Sequence, residues 1–176
     1  TPGGGDMTAT PVITPGTGVY TTPQSVTITC STAGATIYYT TDGTNPVLTS
    51  SVYSAPISVT GSTTIKAMAV APGMDPSYVA TAVYTYPVVL QSVTALRQAP
   101  ADNTTIYQLN AEVYLSFQQA FRNQKYFQDD QAGFLVDDQA GVITTPLNVG
   151  DGVEGLVGKL SEYGGMIQFI PTSNTF

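Results

Sequence analysis

Val26, Ile28 and Cys30 alternate with Thr27 and Thr29, the period of two expected of a strand with one face in a core. Thr36 to Thr41 is a β-branched and aromatic run suited to a pleated, half-buried surface. Asp42-Gly43 then supplies a turn, and Pro46 keeps the strand from resuming at once. Tyr84-Thr85-Tyr86-Pro87 closes this Thr-rich half, with Val88 to Gln91 reading as a connector. Ser92 to Pro100 predicts one short helix, with Ser92 as N-cap and Pro100 as its stop. Strands return over 106–117, 126–128, 134–136, 141–146, 152–159 and 166–171, separated by turn signals such as Asp129 to Gly133, Asp137 to Gly141 and Tyr163 to Gly165.

Composition favours the same picture. Only 10% of residues are charged, and Thr, Val and Tyr dominate where helices would carry Glu and Lys. A net charge of −7 and a pI near 4.1 argue against a phosphate-binding surface and against docking on anionic membranes. The single cysteine excludes an intramolecular disulfide, and its place in the alternation predicts a buried, inert thiol. No stretch approaches the ~20 apolar residues of a membrane-spanning helix.

Chemistry has few footholds. Without His there is no Ser-His or Cys-His nucleophile pair and no His-ligated zinc, so no catalytic residue, metal ligand or cofactor is expected. Paired carboxylates of a glycosidase remain formally open, but two small domains without Trp make a poor aromatic-lined cleft. Arg122 and Lys125, beside Phe121, Tyr126 and Phe127, form the one basic and aromatic cluster. Four cations against nine carboxylates over residues 91–176 make it thin as a polyanion platform, and a structural role is favoured. Asp129-Asp130 and Asp137-Asp138 raise a calcium site if a hairpin brings the pairs together, although turn chemistry explains Asp there without a metal. Tyr38 and Tyr39 point to opposite faces of their strand, so at least one can be exposed to a sugar, but one exposed Tyr is no carbohydrate platform and core or strand-edge roles are favoured for these rings.

Over residues 10–86 the chain resembles the chitobiase/β-hexosaminidase C-terminal-type domain, a small immunoglobulin- or fibronectin-III-like sandwich. The residues carrying the likeness are Pro11 to Gly16 with Gly18-Val19-Tyr20, Val26 to Cys30, Gly34 to Pro46, Tyr53 to Ile57 and Thr63 to Ala69. The resemblance implies a non-catalytic accessory module of extracellular bacterial proteins, with Tyr20 and Tyr53 anchoring the sandwich. Residues 92–176 resemble an OB-fold barrel of bacterial surface proteins, through Tyr126 to Asp130, Gly133 to Asp138, Leu147 to Gly155 and Gly164-Gly165 before Met166. The expected fold class is therefore all-β, an immunoglobulin-like β-sandwich followed by an OB-fold-like small barrel, with 87–91 as linker. Residues 1–9 are expected to be a flexible spacer or the remnant of a tag. Their opening, Thr1-Pro2-Gly3-Gly4-Gly5-Asp6, resembles the spacer behind a lipidated cysteine in bacterial lipoproteins.

Three functions follow as expectations. The first is a non-catalytic accessory segment of a bacterial cell-surface or secreted protein, acting as spacer, scaffold or weak binding platform, with a lipid anchor upstream and a glycan or another surface protein as partner. The second is a carbohydrate-binding module of a glycan-degrading system. The third is a nucleic-acid-binding module beside a secreted nuclease, disfavoured by charge. The candidate ligand-binding residues are Tyr38, Tyr39, Arg122, Lys125, Tyr126 and Phe127.

Overall fold

A computed structural model describes residues 6–174 and divides the chain into two compact units, residues 1–86 and 87–176. In the first unit a three-stranded sheet is ordered β1 (Val12–Thr14), β3 (Gln24–Thr29), β6 (Ile57–Val59). It faces a five-stranded sheet ordered β2 (Gly18–Val19), β8 (Ala80–Thr85), β7 (Thr63–Val70), β4 (Thr36–Thr40), β5 (Ser51–Val52). Val26, Ile28 and Val59 from one sheet bury against Ile65, Ala67, Ala82 and Tyr84 from the other, the alternation a sandwich demands.

Tyrosine hydroxyls fasten this sandwich at its margins. Tyr84 is buried and donates to the Pro15 carbonyl at 2.6 Å; burial pushes its pKa up to about 12, helped by Tyr20 and Tyr86. Tyr20 packs 5.5 Å from Tyr84 by ring centroids, and Tyr53 meets Tyr39 edge-on at 6.3 Å. The Asp42-Gly43 turn forms as expected: Asp42 accepts from the Thr44 N–H at 3.0 Å, and Gly43 takes φ 79°.

Two expectations are corrected here. Residues 6–9 are not a free spacer: Thr8 is buried, its N–H donates to Asp75, and its hydroxyl accepts from the Ala71 N–H. The rest of that stretch, residues 1–5, lies outside the described residues. Cys30 falls just past the end of β3 and is half-buried, its thiol donating to the Ala9 carbonyl at 3.2 Å. The period of two stops one residue too early to carry it into the core.

The second unit is built on one eight-stranded sheet. It contains β9 (Val88–Leu90), β10 (Ile106–Leu109), β11 (Val113–Gln118), β12 (Lys125–Gln128), β13 (Gly133–Val136), β14 (Gly152–Val153), β15 (Leu156–Tyr163) and β16 (Met166–Pro171). Their order is β14-β11-β12-β13-β16-β15-β10-β9. Because β10 and β11 are arms of one chain segment bent at 110–112, and β14 and β15 arms of another bent at 154–155, the sheet returns on itself. β11 pairs with β14, and β10 pairs with β15. The result is a small barrel of five bent strands with β9 added outside as a parallel neighbour of β10. All-β structure in a sandwich followed by a barrel-like domain is the fold class read from the sequence.

The barrel core holds Leu109, Val113, Leu115, Phe127, Phe134, Val136, Leu156, Leu160 and Phe169. Helix α1 (Val93–Gln98) presses Val93 and Leu96 into that core. Ser92 caps it, accepting from the Ala95 N–H at 3.0 Å, as its sequence signals predict. Val88–Leu90, expected as linker, is a strand, because its backbone pairs with Tyr107 to Leu109. Residues 141–146, expected as a strand, form none. Side chains satisfy that backbone instead of a ladder: Asp138 accepts from the Val142 and Ile143 N–H groups, and Asn174 from those of Thr144 and Thr145.

Candidate functional site

Strand parity decides which groups the barrel offers to solvent. On β12 and β13, Phe127, Phe134 and Val136 belong to the core, so Tyr126 and Leu135 lie on the outer face, Tyr126 half-buried and Leu135 buried. The register then aligns Phe117, Tyr126, Leu135, Gln168 and Ser161 in one row across five strands on the outer face. Phe117 and Tyr126 touch there, ring centroids 5.6 Å apart.

The same parity separates the consecutive carboxylates Asp137 and Asp138, both buried. The Asp137 N–H continues the ladder by donating to Phe169 at 2.9 Å. Its carboxylate takes a bidentate pair from Arg122, Nε to Oδ1 at 2.9 Å and Nη2 to Oδ2. The Arg122 hydrogen bond holds the Asp137 carboxyl below the usual carboxylate range, against the opposing effect of burial. Asp138 instead meets Lys125, whose ammonium lies 3.3 Å from Oδ2 and also donates to the Asn123 carbonyl at 3.1 Å. Lys125 shares the parity of Phe127, so this second pair closes one end of the barrel while α1 closes the opposite end. Asp129 serves that opposite end. Burial works against its ionisation, but the N–H groups of Gln131, Ala132 and Val93 outweigh it and hold the carboxyl low.

The predicted site residues are therefore dispersed. Phe127 is buried in the barrel core and its ring does not reach the outer face. Lys125 is buried in its ion pair, and Arg122 is clamped to Asp137. Of the predicted binding residues there, Tyr126 alone turns its ring to the outer face, half-buried, while the neighbouring Phe121 is exposed on the β11–β12 loop. In the sandwich, Tyr39 turns inward against Tyr53, leaving Tyr38 on the outer face of β4, half-buried. The two Asp pairs do not converge, because the whole of β13 runs between them. Among the described residues no group of three metal-ligating side chains comes together.

A cleft of about 530 Å³ opens on the outer face where the β11–β12 loop approaches the β15–β16 hairpin. Phe121 stands on one lip at 69% exposure and Tyr163 on the other at 76%. Between them lie polar groups: the Arg122–Asp137 pair, Gln168, Ser161 and Asn103. Tyr163 occupies the tip of a hairpin whose two turn residues, Gly164 and Gly165, have φ 60° and 77°. Sequence reading passed over Tyr163, Gln168 and Asn103. The available signal was an aromatic directly before Gly-Gly, a place where a side chain is held out into water.

Residues 15–81 match the family model of the chitobiase/beta-hexosaminidase C-terminal domain. No curated protein and no solved structure matches the chain. The sandwich of the first unit is thus similar, across most of its length, to the C-terminal domain of chitobiase and β-hexosaminidase.

Proposed function

We propose that this chain is a non-catalytic accessory segment of a bacterial cell-surface or secreted protein, the sandwich acting as spacer and the barrel as a weak binding platform. The observation that carries this reading is the way the barrel's acidic groups are used. A glycosidase needs one carboxyl raised to act as an acid beside a second that stays ionised. Here Asp129 and Asp137 are both held low by donors that fix loops and strands, and Asp138 is committed to Lys125 and two backbone N–H groups. The likeness of residues 15–81 to a C-terminal accessory domain supports the same reading. The path of the bent strands, with the third parallel to the fifth, supports the OB-fold-like reading of the barrel.

Carbohydrate binding is the second reading, favoured by the exposed rings of Phe121 and Tyr163. The nucleic-acid reading loses ground because Arg122 and Lys125 are already neutralised by buried carboxylates. Incubating the chain with oligosaccharides and following reducing ends tests the accessory reading. The expected outcome is no turnover; hydrolysis abolished by Asp137→Asn would overturn it.

A further inference from the structure

We propose that the sandwich is a load-bearing module that resists tension drawn along the chain between residue 6 and residue 86; this rests on the reading of the sandwich as a spacer. The observation that carries it is the direction of one pairing. Among the described residues of this unit, β2 and β8 are the one strand pair that runs parallel, the other pairs being antiparallel. Gly18 pairs with Tyr84 and Val19 with Thr85. Further back along both segments, an isolated parallel bridge joins Met7 to Asp75. The first segment of the unit, 6–20, therefore lies alongside its last, 75–86, and runs the same way.

That shared direction decides how the fold meets a pull. Asp6 to Thr8 sit beyond the far end of β7, beside Ala71 and Asp75, whereas Tyr86 sits at its near end, beside Ser62. Tension at residue 6 draws the first segment backwards along its own axis, and tension at residue 86 draws the last one forwards. Parallel strands drawn apart in this way slide past each other, so the bonds between them are loaded side by side and must fail together. An antiparallel pair drawn apart from one end parts one bond at a time instead.

The bonds between the two segments are spread along their length. At the far end the Thr8 N–H donates to the Asp75 carbonyl at 2.9 Å and the Asp75 N–H to the Asp6 carbonyl at 3.1 Å. Midway, the Val83 N–H donates to the Thr17 hydroxyl at 3.0 Å and the Tyr84 hydroxyl to the Pro15 carbonyl at 2.6 Å. At the near end the Tyr20 N–H donates to Thr85 at 2.9 Å and the Tyr86 hydroxyl to Thr22 at 3.1 Å. Three of these six join a side chain to backbone, so the tyrosines and Thr17 add rivets to a ladder of only two residue pairs. Tyr84 is buried, which shields its bond from exchange with water as load builds. Between these contacts β1 is bonded to β3, so the same segment also grips the second sheet.

The test stretches the full chain in optical tweezers through two introduced cysteines, in a Cys30→Ala background. Asp6→Cys with Pro87→Cys loads the parallel segments in shear. Gly61→Cys with Pro87→Cys holds two points at the same end of β7 and peels β7 from β8; a Cβ at Gly61 would meet nothing within 4 Å. At one loading rate, the first geometry should yield at a force roughly twofold higher than the second or more, because forced unfolding reads the barrier and not the equilibrium stability. Thr17→Val and Tyr84→Phe, which each remove one rivet, should lower the first force and leave the second unchanged. The inference is overturned by an equal or lower force in the first geometry, by both variants keeping the parental force there, or by their lowering both geometries alike. None of those results touches the accessory reading, which the turnover assay decides on its own.

Discussion

Lys125 and Asp138 show how two residues that look like ligand contacts become part of the frame. The sequence places Lys125 beside aromatics and Asp138 beside another acid, and local pattern cannot reveal that thirteen residues separate two partners of one ion pair. Their side chains are 11% and 0% exposed, so removing one partner strands a buried charge. Lys125→Ala is expected to cost about 3–5 kcal/mol in denaturant unfolding, because it leaves the buried Asp138 carboxylate without its cation. Asp137 gives a pH dependence of known sign. Its folded pKa lies below the unfolded value of about 3.9, so its stabilisation is present above that pH and fades as pH falls through the lower folded value. The gap in melting temperature between the parent chain and Asp137→Asn should therefore narrow progressively as pH falls below about 5. Cys30 was legible only in part, since an alternation shows the direction of a side chain but not where the strand stops.

At the scale of elements, what could be read was what local chemistry decides. The helix was legible because Ser92 and Pro100 mark both ends, and 166–171 was legible because Gly164-Gly165 and Pro171 bound it. The bends at 110–112 and 154–155 were not, since they exist only because each arm pairs with a different neighbour. Strand 141–146 failed because the nearby Asp138 side chain and the Asn174 side chain, 29 and 30 residues on, occupy its donors. Ser92→Ala should lower stability by about 1 kcal/mol through loss of the cap. Gly158 is more demanding. A Cβ there would sit 2.4 Å from the Ile170 carbonyl oxygen and 2.6 Å from the Phe169 ring, both on the adjoining strand. Gly158→Ala should cost about 1–3 kcal/mol, read as a shifted urea midpoint, with the sandwich's own unfolding unmoved.

For the molecule as a whole, the strand at Val88–Leu90 fixes where the barrel unit must be cut. A fragment beginning at residue 87 keeps the pairing of β9 with Tyr107 to Leu109 and the Asn110 N–H donated to Leu90 at 2.8 Å. One beginning at residue 92, the boundary suggested by the apparent connector, loses both. The longer fragment should melt at the higher temperature and protect the amides of β10 more strongly from hydrogen exchange. The broad plan, two all-β parts in this order, was legible from turn spacing and composition. Closure of the second was not, because it depends on pairings as distant in sequence as Ile106 with Lys159. The split between Asp137 outside and Asp138 inside carries a last consequence. A slip of one residue along β13 would set Val136 against Arg122, send Asp137 to the inner position and take Phe134 out of the barrel core. Two salt bridges of opposite parity thus proofread the alignment of the chain as the barrel seals, rejecting the nearest misthreaded neighbour of the native state.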